Sequence, residues 1–143
     1  MPTSAEAADL FVDTSVAVAL VVADHSHHEV ASDAVGRQRL GLAGHAAFET
    51  YSVLTRLPAP ARRDPVTVRR LLEASFPATR FLPDAAAAVL LAELPALSIA
   101  GGAVYDALVG ATARHHGAPL VTRDRRAIAT YRALEVPLLV LDR

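Results

Sequence analysis

The sequence predicts an α/β fold, a three-layer α/β/α arrangement around a central parallel sheet. Three observations carry this reading. Short apolar runs at Asp9–Asp13, Leu40–Ala43, Pro119–Thr122 and Leu138–Leu141 alternate with longer stretches of helical spacing. That alternation is the pattern of parallel strands joined by crossover helices. The runs lack polar alternation, as expected of strands covered on both faces. Two of them lead into an acid accompanied by hydroxyls, Asp13-Thr14-Ser15 and Thr122-Arg123-Asp124, with helical sequence after each. In an open parallel sheet the carboxyl ends of the strands line one edge, where such folds place their sites.

Composition narrows the function classes. The chain has 143 residues, 52% of them hydrophobic, which suits one domain over 1–143 with residues 1–8 as a loose lead-in. Disorder is excluded at this hydrophobicity. The net charge of -1 gives no global basic footprint, so a nucleic-acid partner must be held by a local patch or through metal ions. All 14 cationic side chains are Arg. No Cys is present, which removes disulfides, thiolate metal sites and a Cys nucleophile. No apolar run reaches membrane-spanning length, and Met1–Asp9 lacks the basic and apolar regions of a secretory signal.

The elements follow in order. Thr14–Ala23 reads as a helix rich in Ala and Val after the first strand. Asp24-His25-Ser26-His27-His28-Glu29 is dense in histidine. Adjacent His27 and His28 point in different directions on a helix, which is poor ligand geometry, so the reading is a solvated helix start capped by Ser26. That helix runs to about Arg37. His45–Leu57 is helical by the spacing of Phe48, Tyr51, Val53, Leu54 and Leu57, with Glu49 in its early part. Pro58–Pro65 is a breaker segment. Helices at Val66–Phe76 and from Asp84 to about Leu94 flank a short strand candidate, Arg80–Leu82. Ala103–His116 is a helix with Asp106 near its start and Gly117 at its end, a left-handed cap type. A last helix, Arg125–Leu134, precedes the final strand.

Asp13 and Asp124 should therefore leave the sheet at one edge. Glu49 and Asp106, each early in a helix, open on the same edge in this architecture. Four carboxylates converge there with no Cys, Ser or His in a comparable place. Crowded carboxylates repel one another unless a cation neutralises them. Oxygen-only donors suit hard ions such as Mg²⁺ or Mn²⁺. Two such ions about 3.5–4 Å apart activate water and stabilise the leaving oxygen of a phosphodiester.

Phe11-Val12-Asp13-Thr14-Ser15, Phe48-Glu49, Tyr105-Asp106-Ala107-Leu108 and Leu120-Val121-Thr122-Arg123-Asp124 resemble the PIN-domain signature. The layout from about residue 9 to residue 142 is similar to the VapC toxins of bacterial VapBC toxin–antitoxin systems. The resemblance implies a Mg²⁺- or Mn²⁺-dependent endoribonuclease with Asp13, Glu49, Asp106 and Asp124 as catalytic, metal-binding acids. It implies supporting hydroxyls at Thr14, Ser15 and Thr122. It also implies a cytoplasmic homodimer with a cognate VapB-type antitoxin as partner and RNA as substrate. Ile128 departs from the pattern, because some relatives carry a further acid there. RNA-positioning candidates are Arg62 and Arg63 in the proline loop and Arg123, Arg125 and Arg126 beside Asp124. The helices Thr14–Ala23 and His45–Leu57 are candidates for an antitoxin groove.

Two rival readings are weaker. A haloacid-dehalogenase-type phosphatase needs a second acid two residues after the strand-end Asp, where Ser15 stands, and a Lys that the chain lacks. A PIN fold that only binds RNA or protein does not require all four acids.

Overall fold

The computed structural model describes residues 6–141; the rest of the lead-in, residues 1–5, and the last two residues lie outside the described part. The elements are β1 (Leu10–Val12), α1 (Thr14–Val21), α2 (His28–Val35), β2 (Leu40–Leu42), α3 (His45–Thr55), α4 (Pro65–Ser75), α5 (Asp84–Glu93), α6 (Ala103–His116), β3 (Leu120–Thr122), a 3₁₀ turn (Arg125–Ala127), α7 (Ile128–Ala133) and β4 (Leu138–Val140). The four strands form one parallel sheet in the order β2-β1-β3-β4. β1 and β3 are therefore neighbours, and the chain changes direction across the sheet between them, which opens a crevice at their carboxyl ends.

Alternation of side chains along the strands divides the core in two. Leu10 and Val12 of β1 and Val121 of β3 pack with Val16, Leu54, Val68, Leu72 and Phe76 of the α1–α4 side. Phe11 and Leu120 point the other way, into Leu90, Val109, Tyr131 and Leu134 of the α5–α7 side. Helices on both faces explain why β1, β2 and β3 are buried at every position. No helix among the described residues is long and apolar enough to cross a membrane.

Several local expectations are corrected. Ser26 does not cap the second helix. His27 stands at that position without a side-chain cap bond, and the turn is closed by the His27 amide donating to His25 Nδ1 (3.1 Å) and by His28 Nδ1 against the Ala19 carbonyl (2.9 Å). Arg80–Leu82 is no strand: only Ala43 and Arg80 bridge, and the Leu42 amide donates to the Thr79 hydroxyl rather than to a backbone carbonyl. This segment lies so close to β2 that a Cβ on Gly41 would stand 2.2 Å from the Ala78 carbonyl oxygen, so only glycine fits there. Helix α1 stops at Val21 and α3 at Thr55, short of Ala23 and Leu57. The Thr55 hydroxyl bonds back to the Tyr51 carbonyl at 2.9 Å and Pro58 follows closely, which ends α3 early. The face that α3 buries carries Ala46, Thr50 and Leu54, while Phe48 is 66% exposed and Tyr51 looks outward.

Candidate active site at the carboxyl edge of the sheet

Asp13 follows β1 and caps α1. Its backbone is extended, and Oδ1 accepts a bond from the Val16 amide at 3.3 Å. The capping reading of this residue is realised, on a carboxylate that also stands at the carboxyl edge of the sheet. Oδ1 also accepts from the Ser15 hydroxyl (2.6 Å), and Oδ2 accepts from the Thr122 hydroxyl (2.5 Å) and the Tyr131 phenol (3.0 Å). A carboxylate offers about four lone-pair positions, and all are engaged. Asp13 is buried at 5% exposure. Burial pushes its carboxyl above the usual aspartate range, and the bonds from Ser15, Thr122, Tyr131 and Val16 oppose that.

The two hydroxyls extend the arrangement. Thr122 Oγ1 accepts the Asp124 amide at 3.0 Å, and Ser15 Oγ accepts the Arg123 amide at 2.9 Å. The loop after β3 is therefore held against the end of β1 by two short relays. Thr14 takes no part in them. Its hydroxyl faces the Ala46 carbonyl (3.4 Å) and accepts from Thr50 (3.5 Å), which ties α1 to α3. Successive residues on a helix diverge by about 100°, so only one of Thr14 and Ser15 reaches the carboxylate.

The other acids surround this centre. Asp124 caps the 3₁₀ turn, accepting the Arg126 amide at 3.1 Å. Asp106 lies in the first turn of α6 with its side chain 16% exposed. Burial raises the Asp106 carboxyl; Arg126 opposes this, and the charges of Asp124, Glu49 and Asp13 add to it. The four acids therefore share one electrostatic environment. Glu49, on α3, takes an ion-pair distance of 3.4 Å to His45 Nε2, and the His45 ring stacks on Tyr105 at 5.0 Å.

The arginine candidates separate into four kinds. Arg126 turns toward the acids, Nη2 at 2.9 Å from Asp124 Oδ2 and Nη1 at 3.8 Å from Asp106 Oδ2. Arg123 lies back along α1, with Nη1 3.4 Å from the Ser15 carbonyl, while Arg125 is exposed beside the site. Arg62 donates to the Leu57 carbonyl at 2.8 Å and the Arg63 amide to the Leu54 carbonyl at 3.4 Å. That loop pair sits at the far end of α3, about 10 Å along the helix from Glu49.

Tyr131 and His45 are the contributors that sequence reasoning missed. Tyr131 is 1% exposed and is admitted by Gly110 of α6, where a Cβ would stand 3.0 Å from its ring. A phenol on an otherwise aliphatic face, two turns beyond Asp124, was the available signal. For His45 it was the i,i+4 spacing to Glu49.

The donor set fits a hard divalent cation: oxygen only and several carboxylates, with Asp106 raised by burial and further by its acidic neighbours. In this conformation no three acidic or imidazole side chains among the described residues stand close enough to share one ion. Mg²⁺ commonly takes only one or two protein carboxylates and fills its shell with water, so that spacing is compatible with it.

The sequence pattern of the PIN domain matches residues 10–133. The chain belongs to the PIN-domain family. Within it, the chain is similar to Ribonuclease VapC27 of Mycobacterium tuberculosis, 44% identical over 92% of this chain and 96% of the relative. Ribonuclease VapC40 of the same species is 48% identical over 87% of this chain and 92% of the relative. These identities make it a VapC-type PIN domain. Among solved structures, VapBC2 from Rickettsia felis bound to a promoter DNA fragment superposes with a TM-score of 0.66 at 13% identity, over 93% of this chain and 98% of that one. FitAcB from Neisseria gonorrhoeae gives 0.64 at 18% identity, over 91% and 96%. At such identities these two speak for the fold.

Proposed function

We propose that this VapC-type domain is the toxin of a toxin–antitoxin pair, a Mg²⁺- or Mn²⁺-dependent endoribonuclease acting in the cytoplasm. The observation that carries the reading is the pairing of β1 with β3, which sets Asp13 and the Asp124 loop at one carboxyl edge, where Arg126 reaches both Asp124 and Asp106. The named relatives, both ribonucleases, support the substrate class.

Asp106 and Asp124 are the accessible carboxylates to hold the ion, with Glu49 beside them and Asp13 behind. When bound, Mg²⁺ or Mn²⁺ supplies activation of a water and charge stabilisation at the scissile phosphate. The chain's own residues do the rest. Ser15 and Thr122 fix the orientation of Asp13 and, through the Arg123 and Asp124 amides, the position of the loop that carries Asp124. For Asp13 to ligate, one of its hydroxyl donors must turn aside, and both Ser15 and Thr122 are rotors that can do so. His45 steadies Glu49. The exposed Arg125 supplies positive charge toward the RNA backbone.

The partners follow the same reading: a VapB-type antitoxin, RNA as substrate and a second copy of the chain. A largely apolar groove of about 660 Å³ between α3 and α4, lined by Ala47, Phe48, Tyr51, Leu72, Phe76 and Phe81, suits an amphipathic antitoxin segment. The likeness in fold to VapBC2 from Rickettsia felis supports this. The test is incubation of the purified protein with structured RNAs, with and without Mn²⁺, followed by mapping of cut sites. Cleavage that requires Mn²⁺ and disappears in Asp106→Asn is expected; cleavage surviving in EDTA or in that variant would refute the metal mechanism.

A further inference from the structure

We propose that Arg126 is the chain's own occupant of the cation seat between Asp106 and Asp124, and that it leaves this seat for an RNA phosphate when a divalent ion takes its place. The inference rests on the metal-nuclease reading and adds a residue to it. Arg126 lies beside Asp124 in the sequence, and an arginine next to a site acid is expected to face solvent and substrate. Its guanidinium instead spans carboxylates from two separate elements, Asp124 after β3 and Asp106 on α6.

The geometry is built, not incidental. Asp124 holds the Arg126 amide with Oδ1 at 3.1 Å and the Arg126 Nη2 with Oδ2 at 2.9 Å, so backbone and side chain of one residue engage both oxygens of its neighbour. This directs the fork toward Asp106, where Nη1 reaches 3.8 Å from Oδ2. Asp106 feels three like charges, from Asp124, Glu49 and Asp13, and Arg126 is the group that opposes them. A monovalent guanidinium thus neutralises the pair in the absence of metal.

The same contacts are easy to give up. The Arg126 side chain is 73% exposed, and exposed ion pairs are weak and screened by salt. A divalent ion competes for the same carboxylate oxygens with twice the charge. The released guanidinium stays charged at any relevant pH and carries a planar fork that matches a phosphate. Metal binding and phosphate capture are therefore coupled through one side chain. Metal-free protein keeps the arginine to itself, and metal-loaded protein presents it to RNA.

The experiment is calorimetric titration of Mn²⁺ into the wild-type chain, Arg126→Ala and Arg126→Gln, with no substrate present. Removal of the competing cation should tighten Mn²⁺ binding about three- to tenfold in both variants, and the gain should shrink at high salt. In Ca²⁺-loaded protein, binding of a short single-stranded RNA should weaken severalfold in the same variants, read by fluorescence anisotropy. Mn²⁺ affinity that is unchanged or lower in Arg126→Ala and Arg126→Gln would overturn the proposal and leave the nuclease reading intact. Absence of Mn²⁺ binding in all three proteins would sink both. Arg126→Gln keeps the length of the side chain and guards against a folding defect in the alanine variant.

Discussion

Asp13 and Asp106 sit at the same edge of the sheet and are both pushed above the usual aspartate range by burial, yet they are held in opposite ways. Asp13 is enclosed, with a hydrogen-bond donor on every lone pair, each from a residue anchored in α1, β3 or α7. Asp106 has a single cation at 3.8 Å, on a side chain that is mostly in water. The inner acid is part of the architecture; the outer acids are partnered by groups that can leave. This division suits a site that must be preorganised and still exchange a cation. Fixed dipoles behind Asp13 cost no reorganisation at each turnover, while Asp106, Asp124 and Glu49 stay open to ions and substrate.

The contrast breaks first under truncation. Asp13→Ala should cost about 2–4 kcal/mol of unfolding free energy, because it removes a helix cap and strands the buried donors of Thr122 and Tyr131. Asp106→Asn should cost nothing at neutral pH and should stabilise the metal-free protein. The Asp106 carboxyl titrates higher in the fold than in the unfolded chain, so its ionised form opposes folding at neutral pH. That opposition fades as pH falls toward the ordinary aspartate value of 3.8, and the stabilisation in Asp106→Asn should fade with it. Urea denaturation of both variants at pH 7 and pH 4 checks this. Equal losses in the two would erase the distinction between inner and outer acids.

Tyr131→Phe sharpens the comparison with a smaller effect. The phenol donates to the ionised form of Asp13 and holds its carboxyl down against burial. Without it the Asp13 carboxyl rises further, so the acidic limb of the cleavage profile should move to higher pH. The stability cost should be about 1–2 kcal/mol. An acid limb that stays in place would show that Asp13 does not titrate in the active range.

What could be read from the residues alone was the part set by short-range pattern. An apolar run ending in Asp13, and its echo ending in Asp124, follow from strand and cap chemistry within a few positions. Their common edge needed only the habit of parallel sheets, whereas the adjacency of β1 and β3 depends on the strand order and was not legible. Tyr131 was hidden because its role depends on α7 packing over Gly110 of α6, a contact between separate elements. Arg126 is a surface cation whose partners were hidden, because the 3₁₀ turn that Asp124 itself caps aims it at Asp124 and Asp106. Phe48 and Tyr51 have helical spacing but face the α3–α4 groove, since Ala46 and Thr50 occupy the face that meets α1. Periodicity finds a helix more readily than it finds which side is buried.

The smallest effect is expected at the proline loop. Arg62 donates its side chain to the Leu57 carbonyl and Arg63 follows it at the C-terminal end of α3, away from the acids, so the double change to Ala should alter RNA affinity less than about twofold, measured beside an Arg125→Ala control that weakens it more. Parity between the two would move the RNA path toward the loop.

The most direct test of the whole account is a Mn²⁺ titration of the wild-type chain against Asp13→Asn, Asp106→Asn, Asp124→Asn and the Asp13→Asn, Asp106→Asn double variant. If the inner and outer acids form one site, each single change lowers Mn²⁺ affinity at least about tenfold, and the double change is far less than the product of the two. Wild-type affinity in Asp13→Asn, or full multiplication of the two losses in the double variant, would contradict it.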